Sequence, residues 1–281
     1  MDGIIIIDKP KGYTSHDVVN VVRKNLKTTK VGHTGTLDPN ATGVLPVLIG
    51  KATKISKYLI EHDKTYIAEL TLGKKSSTGD IEGEIIEEKE VPNLSEEQIK
   101  NTLASFLGKQ MQTPPIYSSI KINGKKAYEY ARNGQTVEIP AREIEITEIS
   151  LLSFEKDSII FKVSCSKGTY IRVLCEDIAK KLGTVGLMQN LRRTRVDKFD
   201  IKDACLLENL DKAKIISIEE CFKDFPNINL DDKQTMAFLN GVKIKENQEN
   251  GVYSVYNKNK YLGLGTIENK SLKRDVIVID N

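Results

Sequence analysis

Hydrophobic and polar positions divide the chain into short segments whose period changes repeatedly. Residues 3–7 read GIIII, a β-branched run stopped by Asp8-Lys9-Pro10, which predicts a buried strand and then a turn. Thr14 with Asp17 three residues on is a capping-box pattern, so a helix is expected over 15–26 with Val18, Val21 and Val22 on one side. A glycine-rich loop leads into an apolar run at 44–49, and 52–61 places Ile55, Tyr58 and Leu59 at helical spacing. Residues 64–72 alternate strictly, with Tyr66, Ala68, Leu70 and Leu72 on one face, and predict a half-buried strand. After the turn residues Gly79, Asp80 and Gly83 a second strand is expected at 84–91. Ser95 with Gln98 then opens a helix carrying Ile99, Leu103, Phe106 and Leu107, which Gly108 closes.

The stretch 111–137 breaks this regularity. It holds Pro114-Pro115, a hairpin signal at Asn123-Gly124, a short amphipathic piece at 127–132 and many lysines and tyrosines, and so reads as a protruding insertion. Strand patterning returns at 142–152 and 158–164, where Ile159, Phe161 and Val163 face one way. A helix follows over 169–182, with Ile171, Cys175, Ile178 and Leu182 on its buried stripe. After Phe199 the pattern weakens. Beyond Pro226 it becomes short strands with turn glycines, at 252–256, from Tyr261 and at 276–279, which predict a small barrel.

Composition narrows the function classes only partly. A chain of 281 residues supports one substantial core plus a small second domain. A net charge of +3 permits nucleic-acid binding only where the positive charge is clustered, as it is at Lys121, Lys125, Lys126 and Arg132 and again at Arg192, Arg193 and Arg195. A solvated surface face is the competing reading of each cluster. The cysteines at 165, 175, 205 and 221 are irregularly spaced with no C-x-x-C pair, which argues against a disulfide framework and a metal site and for reduced thiols in a cytosolic protein. The isoleucine run at 4–7 is too short for a signal peptide or a membrane span, and nothing later is long enough.

The candidate chemistry centres on 31–48, VGHTGTLDPNATGVLPVL, which sets one carboxylate, Asp38, between Gly35 and Gly43. Glycine supplies backbone angles other residues reach only with strain, and Pro39 biases Asp38 away from the helical region, so the carboxylate is expected to be held in place. Asp-Pro-Asn is also ordinary turn chemistry. What favours a reactive loop is its company: a histidine at 33, threonines at 34, 36 and 42, and a buried-looking strand directly after. The string GHTGTLDPNATGVLP, with Asp8-Lys9-Pro10-Lys11-Gly12 before it and Lys167-Gly168-Thr169-Tyr170-Ile171-Arg172 downstream, closely resembles the TruB family of tRNA pseudouridine synthases. The match keeps its order from about residue 3 to 195.

That resemblance implies an α+β pseudouridine synthase fold with a mixed, largely antiparallel sheet. It implies a catalytic domain over 1–225, a thumb-like RNA-binding insertion at 111–137 and a small PUA-like β-barrel over 226–281. It further implies isomerisation of the T-loop uridine of tRNA, flipped out of its loop, to pseudouridine. Asp38 corresponds to the catalytic aspartate, which acts either by attacking sugar or base or by promoting elimination to a glycal. Arg172 corresponds to the arginine that pairs with it, and Tyr170 to a second active-site tyrosine that packs beneath the ribose or relays a proton. On the substrate-binding side, Tyr66 corresponds to the tyrosine that stacks on the uracil, His33 to the histidine that fills the space the base leaves, and Leu191 to an apolar wall; Lys9 is assigned with them. The implied partner is the tRNA T-stem-loop, handled by a cytoplasmic monomer without membrane, metal or cofactor and with an RNA-chaperone side activity. Asn40 departs from the family, where leucine is usual, and puts the packing beside the loop in question.

Other classes fit less well. Gly50-Lys51-Ala52-Thr53 imitates the end of a P-loop, but Ala52 and the distance back to Gly43 break the spacing. A glycosidase needs two cooperating carboxylates, and no second acid accompanies Asp38 in these motifs. The serious rival is a non-catalytic RNA chaperone on the same fold, which would tolerate Asp38→Asn.

Overall fold

The computed structural model describes residues 2–60 and 62–279. Strand β1 (Gly3–Lys9) is buried on both faces: Ile4 and Ile6 enter one apolar cluster, Ile5 and Ile7 another. Helix α1 (Ser15–Asn25) begins at Thr14, whose side chain accepts from the Asp17 N–H while Asp17 bonds back to the Thr14 N–H. Val18, Val19 and Val22 are its buried face, and Val21 only flanks that cluster. Strands β2 (Val31–His33) and β3 (Thr42–Ile49) follow, with Asp38 between them. Like β1, β3 is covered on both sides, which is why it reads as a continuous apolar run.

The segment expected to be one helix over 52–61 is a 3₁₀ turn at Gly50–Ile55 that passes into a short α2 (Ser56–Leu59); Glu61 lies outside the described residues. Strand β4 (Lys64–Leu72) has the burial alternation that its sequence dictates. Strands β5 (Lys74–Ser76) and β6 (Ile85–Glu88) form a small ribbon, so the expected strand at 84–91 is real but shorter. Helix α3 (Glu96–Ala104) has its capping box at Ser95 and Gln98 and buries Ile99 and Leu103, while Leu107 stays half exposed beyond its end.

Strand β7 (Gly108–Gln112) precedes the insertion, which contains β8 (Lys121–Ile122), β9 (Lys125–Lys126) and α4 (Ala127–Arg132). Asn123 and Gly124 join β8 to β9 with φ of 50° and 83°, the twist a two-residue hairpin needs. Strands β10 (Arg142–Phe154) and β11 (Ser158–Cys165) lead to α5 (Ile171–Lys181). That helix starts two residues later than its sequence suggests, because Tyr170 is extended (φ −100°, ψ 112°) and serves as its N-cap.

The unexpected element is β12 (Gly186–Val196), which occupies the middle of the sheet. The main sheet runs β1-β3-β12-β4-β11-β10-β7, with β2 on β3 and β13 (Phe199–Asp200) on β12; β12 is parallel to β3 and antiparallel to β4. Its register shifts between Met188 and Asn190 and again between Arg193 and Arg195. Bulges reset which face a side chain takes, so no period of two survives in LMQNLRRTRV, and the strand cannot be read from its pattern. Pairing of Arg192 with Thr42 and Arg193 with Gly43 lays this strand against the exit of the Asp38 loop.

That close approach requires Gly43. Its φ is +104°, and a Cβ there would stand 2.1 Å from the Arg193 carbonyl oxygen, a backbone atom of β12 that cannot swing aside. Gly43→Ala is expected to cost about 3 kcal/mol or more, or to prevent folding, read as the urea midpoint or the yield of soluble protein.

The remainder comprises α6 (Ile218–Cys221), β14 (Asn227–Asn229), α7 (Asp232–Leu239), β15 (Ile244–Lys245), β16 (Gly251–Asn257), β17 (Lys260–Glu268) and β18 (Ser271–Ile277). These strands make a five-stranded sheet, β14-β16-β17-β18-β15, over a core that includes Phe238, Val255, Leu262 and Leu272. Tyr261, Leu264 and Val276 of the same sheet pack with Ile4, Ile6 and Leu48, so the C-terminal sheet covers one face of β1 and β3.

Candidate active site

Asp38 is presented rather than buried. The residues around it are pinned: Leu37 is 4% exposed and Ala41 1%. The Leu37 N–H donates to the Ser15 hydroxyl (2.9 Å), which donates back to the Leu37 carbonyl (3.2 Å), and the Ala41 N–H closes the turn on the Asp38 carbonyl (3.1 Å). The Gly12 N–H also donates to the Pro39 carbonyl (2.9 Å). Two apolar anchors and four hydrogen bonds leave the carboxylate itself 42% exposed, at the wall of a cleft it shares with Asn40, Ile81, Glu82, Asn190 and Leu191.

Arg172 meets it from the first turn of α5. Its side chain is only 8% exposed, and its Nη2 lies 3.3 Å from Asp38 Oδ2. The guanidinium also donates to the carbonyls of Thr78 (3.0 Å) and Tyr117 (2.9 Å), and its Nη1 lies 3.6 Å from Asp80 Oδ2. A fork held at four points fixes the direction in which it meets Asp38.

Asp80, which the sequence offered only as a turn residue outside the matched motifs, is a second acid on the same guanidinium. Thr78 donates to its Oδ1 (2.6 Å), as does the Glu82 N–H (3.1 Å), so Asp80 is oriented by its own loop with its other oxygen toward Arg172. The available signal was the Gly79-Asp80 turn, whose partner is 92 positions away in sequence and invisible to local patterning. Glu82 lines the same cleft; partial desolvation, then the charges of Asp80 and Asp38, raise its carboxyl above the usual range.

The other expected residues divide. Tyr66 on β4 is 7% exposed and Leu191 on β12 9%; both belong to the cluster that holds Leu37 and Ala41, next to Asp38. Burial pushes the Tyr66 phenol up to about 12, against an opposing pull from Arg193. His33 lies on β2 with a buried, unpartnered Nδ1, and burial followed by the charge of Arg193 lowers its basicity. The Tyr170 backbone exchanges hydrogen bonds with the Gln112 side chain (2.8 and 3.1 Å), and Arg142 sits 5.0 Å from its ring centroid.

Lys9 is buried at the end of β1. Its Nζ donates to the carbonyls of Pro10 (3.0 Å), Tyr13 (2.5 Å) and Pro39 (3.0 Å), so the ammonium ties the end of β1 to the residue after Asp38. Desolvation lowers its pKa from 10.5 to about 8 although Asp38 opposes the shift. Between those two values the unfolded chain holds more protons than the folded one, so this residue adds stability as pH rises from 8 toward 10.5 and adds none of it below 8. Independently of this linkage, Lys9→Met is expected to lower stability by about 1–3 kcal/mol at neutral pH by leaving three carbonyls without a donor. The urea midpoint gap from wild type should widen between pH 8 and 10.5.

The fold is shared with a chain of a solved complex. The solved Cbf5-Nop10-Gar1 complex contains a chain that superposes with a TM-score of 0.70 at 24% identity, covering 99% of this chain and 84% of that one. Residues 23–171 match the N-terminal domain of the TruB family pseudouridylate synthases, 172–231 the tRNA pseudouridylate synthase B C-terminal domain, and 226–273 the pseudouridine synthase II TruB C-terminal domain. A curated protein named tRNA pseudouridine synthase B from Caldanaerobacter subterraneus is 43% identical over 279 residues, covering 97% of this chain and 98% of its own length. One of the same name from Clostridium acetobutylicum is 44% identical over 284 residues, with the same coverage. This chain belongs to the TruB family of pseudouridylate synthases.

Proposed function

We propose that this protein isomerises the T-loop uridine of tRNA to pseudouridine, with Asp38 as the catalytic carboxylate. The observation that carries the reading is the Asp38–Arg172 pair: a half-exposed carboxylate on a pinned loop, aimed by a buried guanidinium 3.3 Å away into a cleft walled by Leu191. The relatives' name, tRNA pseudouridine synthase B, supports the substrate class.

The reaction is an isomerisation that balances without an outside electron or group donor. The N1–C1′ bond breaks, the uracil turns while retained, C5 bonds to C1′, and one proton leaves C5 while N1 gains one. Asp38 serves either as nucleophile or as the base that promotes elimination, and Arg172 keeps it directed. The target must first leave its stack. Tyr66 is the surface on which the uracil then rests, Leu191 the wall beside it and His33 the group that occupies the vacated place. Tyr170, fixed by Gln112 and Arg142, lies under the ribose or relays a proton. Lys9 acts indirectly, by holding the loop. The insertion at 111–137, with Lys121, Lys125, Lys126 and Arg132, closes on the phosphates of the T-stem-loop. The working form is a cytoplasmic monomer with residues 226–281 as a PUA-like domain.

The test is to incubate the protein with a T-stem-loop transcript and map pseudouridine by base-specific chemical modification. Stoichiometric conversion of the one T-loop uridine is expected. No product, with acceleration of tRNA folding that survives Asp38→Asn, would replace this reading with the chaperone.

A further inference from the structure

Gln112 is a buried polar residue, 5% exposed, at the point where β7 ends and the insertion leaves the sheet. Both ends of its amide meet the backbone of one residue. Oε1 accepts from the Tyr170 N–H (2.8 Å), and Nε2 donates to the Tyr170 carbonyl (3.1 Å). A carboxamide carries an acceptor and a donor in one plane, so it can match the N–H and C=O of a single residue as a neighbouring strand would. Tyr170 is the N-cap of α5, an end poorly fixed from within: its side chain makes no capping bond, and the first turn holds no acid. Arg172 follows in that turn, a cation at the helix end where the backbone dipole is positive.

The same region of the chain grips this helix start again. The Tyr117 carbonyl, in the insertion, accepts from Arg172 Nη2 (2.9 Å), the nitrogen that lies 3.3 Å from Asp38 Oδ2. Arg142 pairs with Gln112 across the β7–β10 ladder; its guanidinium lies 5.0 Å from the Tyr170 ring centroid and donates to the Gly168 carbonyl. The two roots of the insertion therefore converge on the residue that begins α5.

We propose that Gln112 is a positioning residue for the Asp38–Arg172 pair: by holding the Tyr170 peptide it fixes where α5 begins, and so the direction from which Arg172 meets Asp38. This rests on the reading of Asp38 as the catalytic carboxylate. Gln112 acts through Arg172 and not on the nucleoside. The residue type follows from the two bonds. Glutamate has the same length but, when ionised, keeps only the acceptor and sets a carboxylate against the Tyr170 carbonyl. Methionine fills the same space and keeps neither bond, leaving the Tyr170 N–H without its partner. A requirement for packing alone would be met by methionine.

The experiment joins a mutant cycle to a spectroscopic reading on the intact protein. At saturating T-stem-loop transcript, Gln112→Met and Gln112→Glu should each slow single-turnover conversion on the order of 10-fold or more, with RNA affinity within about threefold of wild type. In the Arg172→Lys background the same substitutions should cost at least about fivefold less, because the fork they aim is gone. In the free protein labelled with ¹⁵N arginine, the Nε resonance of Arg172, identified by its absence from Arg172→Lys, should move in both Gln112 variants. A lower urea midpoint with the saturating rate unchanged, equal fold-losses in the two backgrounds, or an unmoved Arg172 resonance in both variants would overturn the proposal. Should Gln112→Met fail to fold, Gln112→Glu carries all three readings. A wild-type protein that makes no pseudouridine would sink the function proposed above, whereas the resonance still decides whether Gln112 positions Arg172.

Discussion

Asp38→Asn is expected to abolish pseudouridine formation, lowering the single-turnover rate by at least about 10⁴, while RNA affinity stays within a few-fold of wild type. The substitution keeps the size of the side chain and removes its charge and basicity, the properties both candidate mechanisms require. Because the carboxylate is 42% exposed and its loop is held by Leu37, Ala41, Ser15 and Lys9 rather than by its own oxygens, stability should change by no more than about 1 kcal/mol. Rapid-quench product mapping and filter binding on the same stem-loop, with a urea melt as control, separate the three effects. Normal turnover by this variant would remove Asp38 from the mechanism.

The second large effect concerns Arg172, where catalysis and stability should fall together. Arg172→Met removes the donor for two carbonyls and leaves Asp80, 11% exposed, without its cation; a loss of about 3 kcal/mol is expected. Arg172→Lys is the sharper variant. Lysine keeps the charge but has no planar fork, so it cannot satisfy Thr78, Tyr117, Asp38 and Asp80 from one position. Its rate should fall about 10²–10³-fold with a smaller stability loss. An Arg172→Lys protein as active as wild type would mean that Asp38 needs charge nearby but not aim.

How much of this was legible beforehand depends on the range of each interaction. The alternation of 64–72 reports Tyr66 facing inward, the Thr14–Asp17 box reports α1, and Asn123-Gly124 reports the hairpin, because each is decided within a few residues. Asp38 and Arg172 are paired in the sequence only by the resemblance of their motifs to a known family; nothing in either neighbourhood encodes a 3.3 Å contact across 134 positions. Asp80 reads as a turn residue but is bridged to Met188 between two turns, and its second oxygen meets Arg172 only after folding. Strand β12 was opaque for a different reason. Its two register shifts destroy the period, and the arginine that the pattern offers as surface charge, Arg193, is among the most buried side chains of the protein. The place of Lys9 is equally hidden from its neighbourhood: its Nζ donates to three backbone carbonyls, one of them 30 positions away.

The account stands on one carboxylate meeting the sugar of an extruded nucleoside. The most direct measurement is the crystal structure of the Asp38→Asn variant bound to an unmodified T-stem-loop. It should show the target uridine turned out of the loop, its ring against Tyr66, and its C1′ about 3–4 Å from the side chain of residue 38. A target uridine still stacked in the RNA, or one held with C1′ on the far side of the cleft from residue 38, would contradict it.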